Sequence, residues 1–166
     1  MIQAIRTVSS MKNLITLIFS LVVSFQSLAE FKPDFDKGWE AYTSADYETA
    51  ALHFMTLAHE GMAGAQYNLG VMYANGKGVL ENDKAAVKWY TKAAEQGISE
   101  AQFNLGFMYE NGEGVIENDK TAVKWYTKAA EQGDAPAQFN LAFKYANGEG
   151  VPQNYKTAVK WYTRAA

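Results

Sequence analysis

Two histidines, one Ser-x-x-Lys and a recurring set of carboxylates are the groups in this chain from which chemistry could be built. His53 and His59 could ligate a metal or serve as a general base. On a helix their spacing of six sets them on different faces, and no repeating carboxylate accompanies either. Ser9 and Lys12 form the one Ser-x-x-Lys, the pattern of penicillin-binding nucleophiles. They fall in an N-terminal stretch that reads as an address. Glu95, Glu113, Glu117, Glu131 and Glu149 recur along the chain, and repetition multiplies a carboxylate without pairing it for acid–base work, so these read as solvated. Gly76-Lys77-Gly78 and its copies suggest a phosphate loop, but they follow a helical run instead of a strand and lack Gly-Lys-Ser/Thr, so they read as turn residues. The absence of cysteine excludes disulfides, thiolate metal sites and thiol nucleophiles. No catalytic residue, metal ligand or cofactor is expected.

The elements that would position any site must fit 166 residues with a formal net charge of −3, a length that suits one ordinary domain. An acidic balance (pI about 5.4) argues against a nucleic-acid surface. With 48% hydrophobic and 14% aromatic residues the chain is too apolar to be disordered. Residues 1–29 contain no acid. Arg6 and Lys12 precede an uncharged run from Leu14 to Phe25, and Ser27-Leu28-Ala29 ends in small residues. That order is a signal peptide with cleavage after Ala29, with Met1 or Met11 as the start. The twelve-residue run is short of the ~20 that span a bilayer, so no stable membrane insertion is expected after cleavage. The sequence thus predicts an exported protein, periplasmic or secreted, with a net charge near −5.

The remainder repeats. Residues 65–100 and 101–136 align without a gap at a period of 36, with 27 positions identical, and a third copy runs over 137–166, stopping within its last helix. A period in this range marks a solenoid, whose units bury their apolar faces only against one another. In 65–100, Ala65, Leu69, Met72 and Tyr73 share one face of a first helix, while Tyr67 and Val71 fall on the other. Gly70 lies mid-helix, which suits close approach of a partner helix. Asn75-Gly76 ends the helix in a left-handed cap. Asn82 caps a second helix, which buries Ala86, Val87, Trp89, Tyr90, Ala93 and Ala94 and points Lys84, Lys88 and Lys92 outward. Residues 35–61 read as a divergent first unit, with Gly38, Ala50 and Phe54 in place, Asp46 as cap, and His53 where the others have tryptophan.

The pattern carried by Ala65, Leu69, Gly70, Tyr73, Gly76, Gly78, Val79, Asp83, Ala86, Trp89, Tyr90, Ala93, Ala94 and Gly97 resembles the Sel1-like repeat (SLR) of the tetratricopeptide (TPR)-like superfamily. Its copy matches from Ala101 to Gly133. The third unit departs at Ala142, which stands where Gly70 and Gly106 stood, and at Tyr155, which replaces the first-turn aspartate. The resemblance implies an all-α fold, a right-handed α-solenoid of helix-turn-helix repeats. It also implies an adaptor that holds other proteins together, with exported bacterial members linked to host interaction and the cell envelope. Some cysteine-rich relatives act on β-lactams, so a cell-envelope enzyme acting on β-lactams or peptidoglycan is the alternative.

Two surfaces are candidates for a partner. Tyr67, Phe103 and Phe139 recur on the first helices, with Val71, Phe107 and Phe143 and with Asn68, Asn104 and Asn140. Aromatics flanked by amides suit a concave groove that clasps an unidentified protein or peptide, and equally suit the core between repeats. The second helices carry nine cations: Lys84, Lys88, Lys92, Lys120, Lys124, Lys128, Lys156, Lys160 and Arg164. They read as a solvated outer face, with an anionic lipid surface as the other reading.

Overall fold

Alternating apolar stripes and capping residues produce helices wherever the period places them. The structure is a computed structural model and describes residues 31–166. The expected leader over 1–29 lies outside the described residues. Among these there are eight helices and no strand: α1 (Phe35–Thr43), α2 (Tyr47–His59), α3 (Ala63–Asn75), α4 (Asp83–Glu95), α5 (Ser99–Asn111), α6 (Asp119–Glu131), α7 (Ala135–Asn147) and α8 (Tyr155–Ala165). Each packs chiefly on the helix before and the helix after it, which is the connectivity of a solenoid. No helix among the described residues is long and apolar enough to cross a membrane.

The helix boundaries have local causes. Asp46, Asn82, Asn118 and Asn154 each accept the backbone N–H three residues on, which satisfies a donor the first turn leaves open. Gly76, Gly112 and Gly148 end α3, α5 and α7 with φ of 63–78°. Within a unit, the first helix approaches the second so closely that a Cβ on Gly70 would lie 2.6 Å from the Tyr90 ring. On Gly106 it would lie 2.8 Å from the Tyr126 ring. Mid-helix glycine costs about 1 kcal/mol against alanine; here it admits a fully packed tyrosine.

Three devices join one unit to the next. Buried alanines (Ala86, Ala93, Ala94 and Ala122, Ala129, Ala130) let helices of adjacent units meet closely. Gln66, Gln102 and Gln138 are buried, and each donates to the carbonyl eight residues back: Ala58, Ala94 and Ala130. Gln96 and Gln132 then donate to the side-chain oxygens of Gln66 and Gln102 at 2.7 Å, which ties the end of each second helix to the first helix of its own unit and holds the bridging glutamine in place. Finally, the loop glycines Gly114 and Gly150 rest on the first residue of the preceding unit's second helix. A Cβ on either would come 2.5 Å from the carbonyl carbon of Asp83 or Asp119.

One sequence expectation needs extending and two need correction. The lysines of α4 and α6 are exposed, as their spacing implies, but four of them also cover tryptophan. Lys88 and Lys92 lie over the Trp89 ring at 5.7 and 4.7 Å, Lys124 and Lys128 over Trp125 at 5.7 and 4.6 Å, and Arg164 over Trp161 at 4.9 Å. Glu149 is not a solvated acid, since it pairs with Lys144 at 2.9 Å. Val87 is half-buried instead of buried.

Candidate functional site

The candidate residues lie on the first helices, and their two rows divide between core and surface. Tyr67 of α3, Phe103 of α5 and Phe139 of α7 each pack on the second-helix tyrosine of their own unit. Their ring centroids lie 6.1 Å from Tyr90, 5.8 Å from Tyr126 and 5.3 Å from Tyr162. Tyr67 and Phe103 are half-buried, whereas Phe139 remains 54% exposed. One turn on, Val71 is half-buried but Phe107 and Phe143 are each 44% exposed. The first row therefore contributes mainly to packing and the second presents aromatic surface.

The amides also divide. Asn104 lies near enough to the Tyr67 and Tyr90 hydroxyls of the preceding unit to favour their ionised forms, and Asn140 stands likewise to Tyr126. Burial pushes all three phenols above their ordinary pKa, so they remain neutral. Asn68 is buried at the wall of a smaller pocket.

The structure brings four of the nine candidates into one open pocket of about 330 Å3: Tyr67, Val71, Asn104 and Phe107. Tyr90, Asn75, Ala74, Met108 and Glu113 complete it. A smaller pocket of about 160 Å3 continues the line through Tyr67, Asn68 and Val71 to Trp39 and Tyr42 of α1. Phe103, Phe139, Asn140 and Phe143 line neither of these two pockets.

Sequence reasoning missed Trp39 and Tyr42. The first unit's connection is four residues shorter than the others, so Trp39 precedes Val71, its counterpart, by 32 residues instead of 36. It also missed Lys144, which stands where Met72 and Met108 stand. Lys144 is 3% exposed, and its Nζ lies 2.6 Å from Glu110, 2.8 Å from Asp119 and 2.9 Å from Glu149. Burial opposes its charge, but the three carboxylate hydrogen bonds outweigh that and raise its pKa above the usual lysine value. Lys144 is therefore a fixed cation.

The histidines do structural work. The Asp34 backbone N–H donates to His53 Nδ1 at 3.0 Å, and His59 meets the Trp89 ring edge-on at 5.1 Å. No group of three His, Cys, Asp or Glu among the described residues could hold a metal ion.

The Sel1 repeat profile matches residues 63–98, 99–134 and 135–166. Among solved structures, the chain is 45% identical to a Sel1 repeat protein from Oxalobacter formigenes, with a TM-score of 0.77 over 80% of this chain and 55% of that one. It is 38% identical to a protective antigen of uropathogenic Escherichia coli strains that displays an SLR fold, with a TM-score of 0.76 over 79% of this chain and 29% of that one. The cysteine-rich protein B of Helicobacter pylori is 23% identical with a TM-score of 0.58 over 71% of this chain and 87% of that one, a likeness of fold alone. The chain thus spans about half the length of the first of these relatives and under a third of the second. No curated protein matches.

Proposed function

The chain belongs to the Sel1 repeat family, whose members are generally non-catalytic scaffolds for protein interaction, and from that premise we propose that it is an exported adaptor binding a protein or peptide segment along the concave face of its first helices. The observation that carries the reading is the pocket in which Tyr67, Val71, Asn104 and Phe107 converge, with Phe143 exposed at the matching position one unit on. Apolar anchors provide binding energy in such a groove, and the amides and neutral phenols there provide orientation. The exposed ends of Phe107 and Phe143 are not needed for packing, so they can be truncated with little loss of fold. A displayed random-peptide library selected on the wild-type protein tests this: clones that bind Phe107→Ala/Phe143→Ala as well as wild type place the partner elsewhere.

Export rests on the order of basic, apolar and small residues over 1–29, and implies a periplasmic or secreted protein. Mass spectrometry of the protein made in its own cell should show Glu30 as the N-terminus. Recovery of Leu14 to Phe25 in the mature polypeptide would refute cleavage.

A further inference from the structure

Four positions recur at each junction between units, and their occupants differ in a way that specifies a ligand. At the first junction they are Tyr42, Tyr47, Met72 and Lys77; at the third, Glu110, Asp119, Lys144 and Glu149. Both junctions supply a cation and its acceptors. Lys77 donates to the Tyr42 hydroxyl at 3.2 Å and lies over the Tyr42 and Tyr47 rings at 5.0 and 5.1 Å. Lys144 is held by the three carboxylates of its own junction.

At the second junction the same positions hold Ala74, Asp83, Met108 and Glu113. The two acids that ligate Lys144 one unit later are both kept, as Asp83 and Glu113. The cation is gone, because methionine replaces lysine, and alanine replaces the third acid. The ion pairs among the described residues all centre on Lys144, so Asp83 and Glu113 have no cation. Ala74 borders the 330 Å3 pocket, which Ala74, Met108 and Glu113 line together with the Tyr67, Tyr90 and Phe107 rings. From Ser99 to Asn118 the chain carries Glu100, Glu110, Glu113 and Glu117 and no Lys or Arg.

We propose that the pocket at the second junction receives a lysine side chain from the bound protein segment, its stem against Phe107 and Met108 and its ammonium at Glu113. The inference rests on the groove reading and adds the chemistry of what enters it. An aromatic-walled pocket lined by the Glu113 carboxylate suits an alkyl stem carrying a cation, and at the neighbouring junction its counterpart Glu149 holds an ammonium together with Asp119.

The test uses two peptides, Ac-Leu-Lys-Leu-NH2 and the same peptide with norleucine for lysine, titrated into methyl-labelled protein by NMR. The lysine peptide should move the Met108 methyl signal and bind about tenfold more tightly than its norleucine twin, the scale of one charge-assisted contact. Glu113→Gln should erase that preference. Met108→Lys, which supplies the cation from within as Lys144 does, should block the lysine peptide; helical circular dichroism checks that both variants fold. Equal affinity for the two peptides, or an unmoved Met108 signal, overturns the inference. If the two peptides bind equally and both weaken with Phe107→Ala, the groove survives without the cation site. If the lysine peptide responds to Glu113→Gln but ignores Phe107→Ala, the cation site survives and the aromatic groove falls.

Discussion

Lys144 of the last unit places its Nζ 2.6 Å from a carboxylate oxygen of Glu110 in the unit before it. The other oxygen of Glu110 accepts the Tyr126 hydroxyl at 2.6 Å. Neither Glu110 nor Lys144 has a counterpart in the first copy, where Ala74 and Met72 occupy their positions. The two departures from the repeat are thus one feature, a lysine and a further carboxylate gained together at one seam.

Removal of the cation alone should expose what the seam costs. Lys144→Met restores the side chain of the other copies but leaves three partly exposed carboxylates facing one another. A loss of about 2 kcal/mol in urea unfolding is expected, below the full penalty of a buried broken pair because the acids reach water. Glu110→Ala/Lys144→Met rebuilds the second junction's composition and should recover most of the loss. A double variant as unstable as the sum of its two singles would show that the residues are not coupled.

Alkali should unfold the protein through the same region. The unfolded chain gives up phenolic protons near 10.0 and the lysine proton near 10.5, the ordinary values. In the folded chain, burial holds the Tyr90 and Tyr126 protons, and the carboxylates hold that of Lys144, to higher pH. Above about pH 10 the folded state therefore binds more protons than the unfolded one, and stability falls as pH rises. These groups contribute no slope at neutral pH. Thermal melts of wild type and Tyr126→Phe from neutral to strongly alkaline pH check this: the variant should show the shallower decline.

Gly106 and Ala142 occupy the same repeat position, and exchanging either for the other's residue should destabilise the chain, for different reasons. Gly106→Ala forces a Cβ to 2.8 Å from the Tyr126 ring and 3.3 Å from the Ala122 carbonyl oxygen, so overpacking should cost about 1–3 kcal/mol despite the better helix former. Ala142→Gly should cost about 1 kcal/mol through propensity. Urea unfolding that finds Gly106→Ala more stable than wild type would show that the tyrosine moves away freely.

The glutamine chain should carry measurable stability. Gln102→Leu removes the side-chain donor to the Ala94 carbonyl, which keeps the Gly97 N–H, and removes the acceptor of the Gln132 amide. Loss of such a hydrogen bond costs about 0.5–1.5 kcal/mol. Hydrogen exchange should quicken at the junction of α4 and α5 before the rest of the chain, and uniform protection would argue against a local role.

What was legible in the sequence was local or exactly repeated. The caps at Asn82 and Asn118, the left-handed Gly76 and the close approach at Gly70 follow from residue type and spacing within one unit. The site was legible only in part. Tyr67 and Phe107 were visible as aromatics on the outward side of the first helices, but which of them packs and which is exposed depends on the second-helix tyrosines of the same unit. Lys144 was readable in principle as a lysine on an apolar stripe, with Glu110 as the matching departure one unit earlier. Lys92, three residues beyond Trp89, carried a similar spacing signal. Trp39 was hidden by the shorter first connection, which breaks the register that reveals every other equivalent.

The seating of Gly114 on Asp83, and of Gly150 on Asp119, sets the grain in which this molecule can change. Because a loop of one module is shaped to the helix start of another, excising a few residues from either would strand both surfaces. Loss or duplication of a whole 36-residue module would keep this loop-on-helix seating at every seam, though a seam that brought Lys144 against Ala74 would lack the Glu110 pair. The lineage can therefore lengthen or shorten its array in steps of one module by recombination between near-identical copies, and adjust its ligand preference separately through the four seam residues.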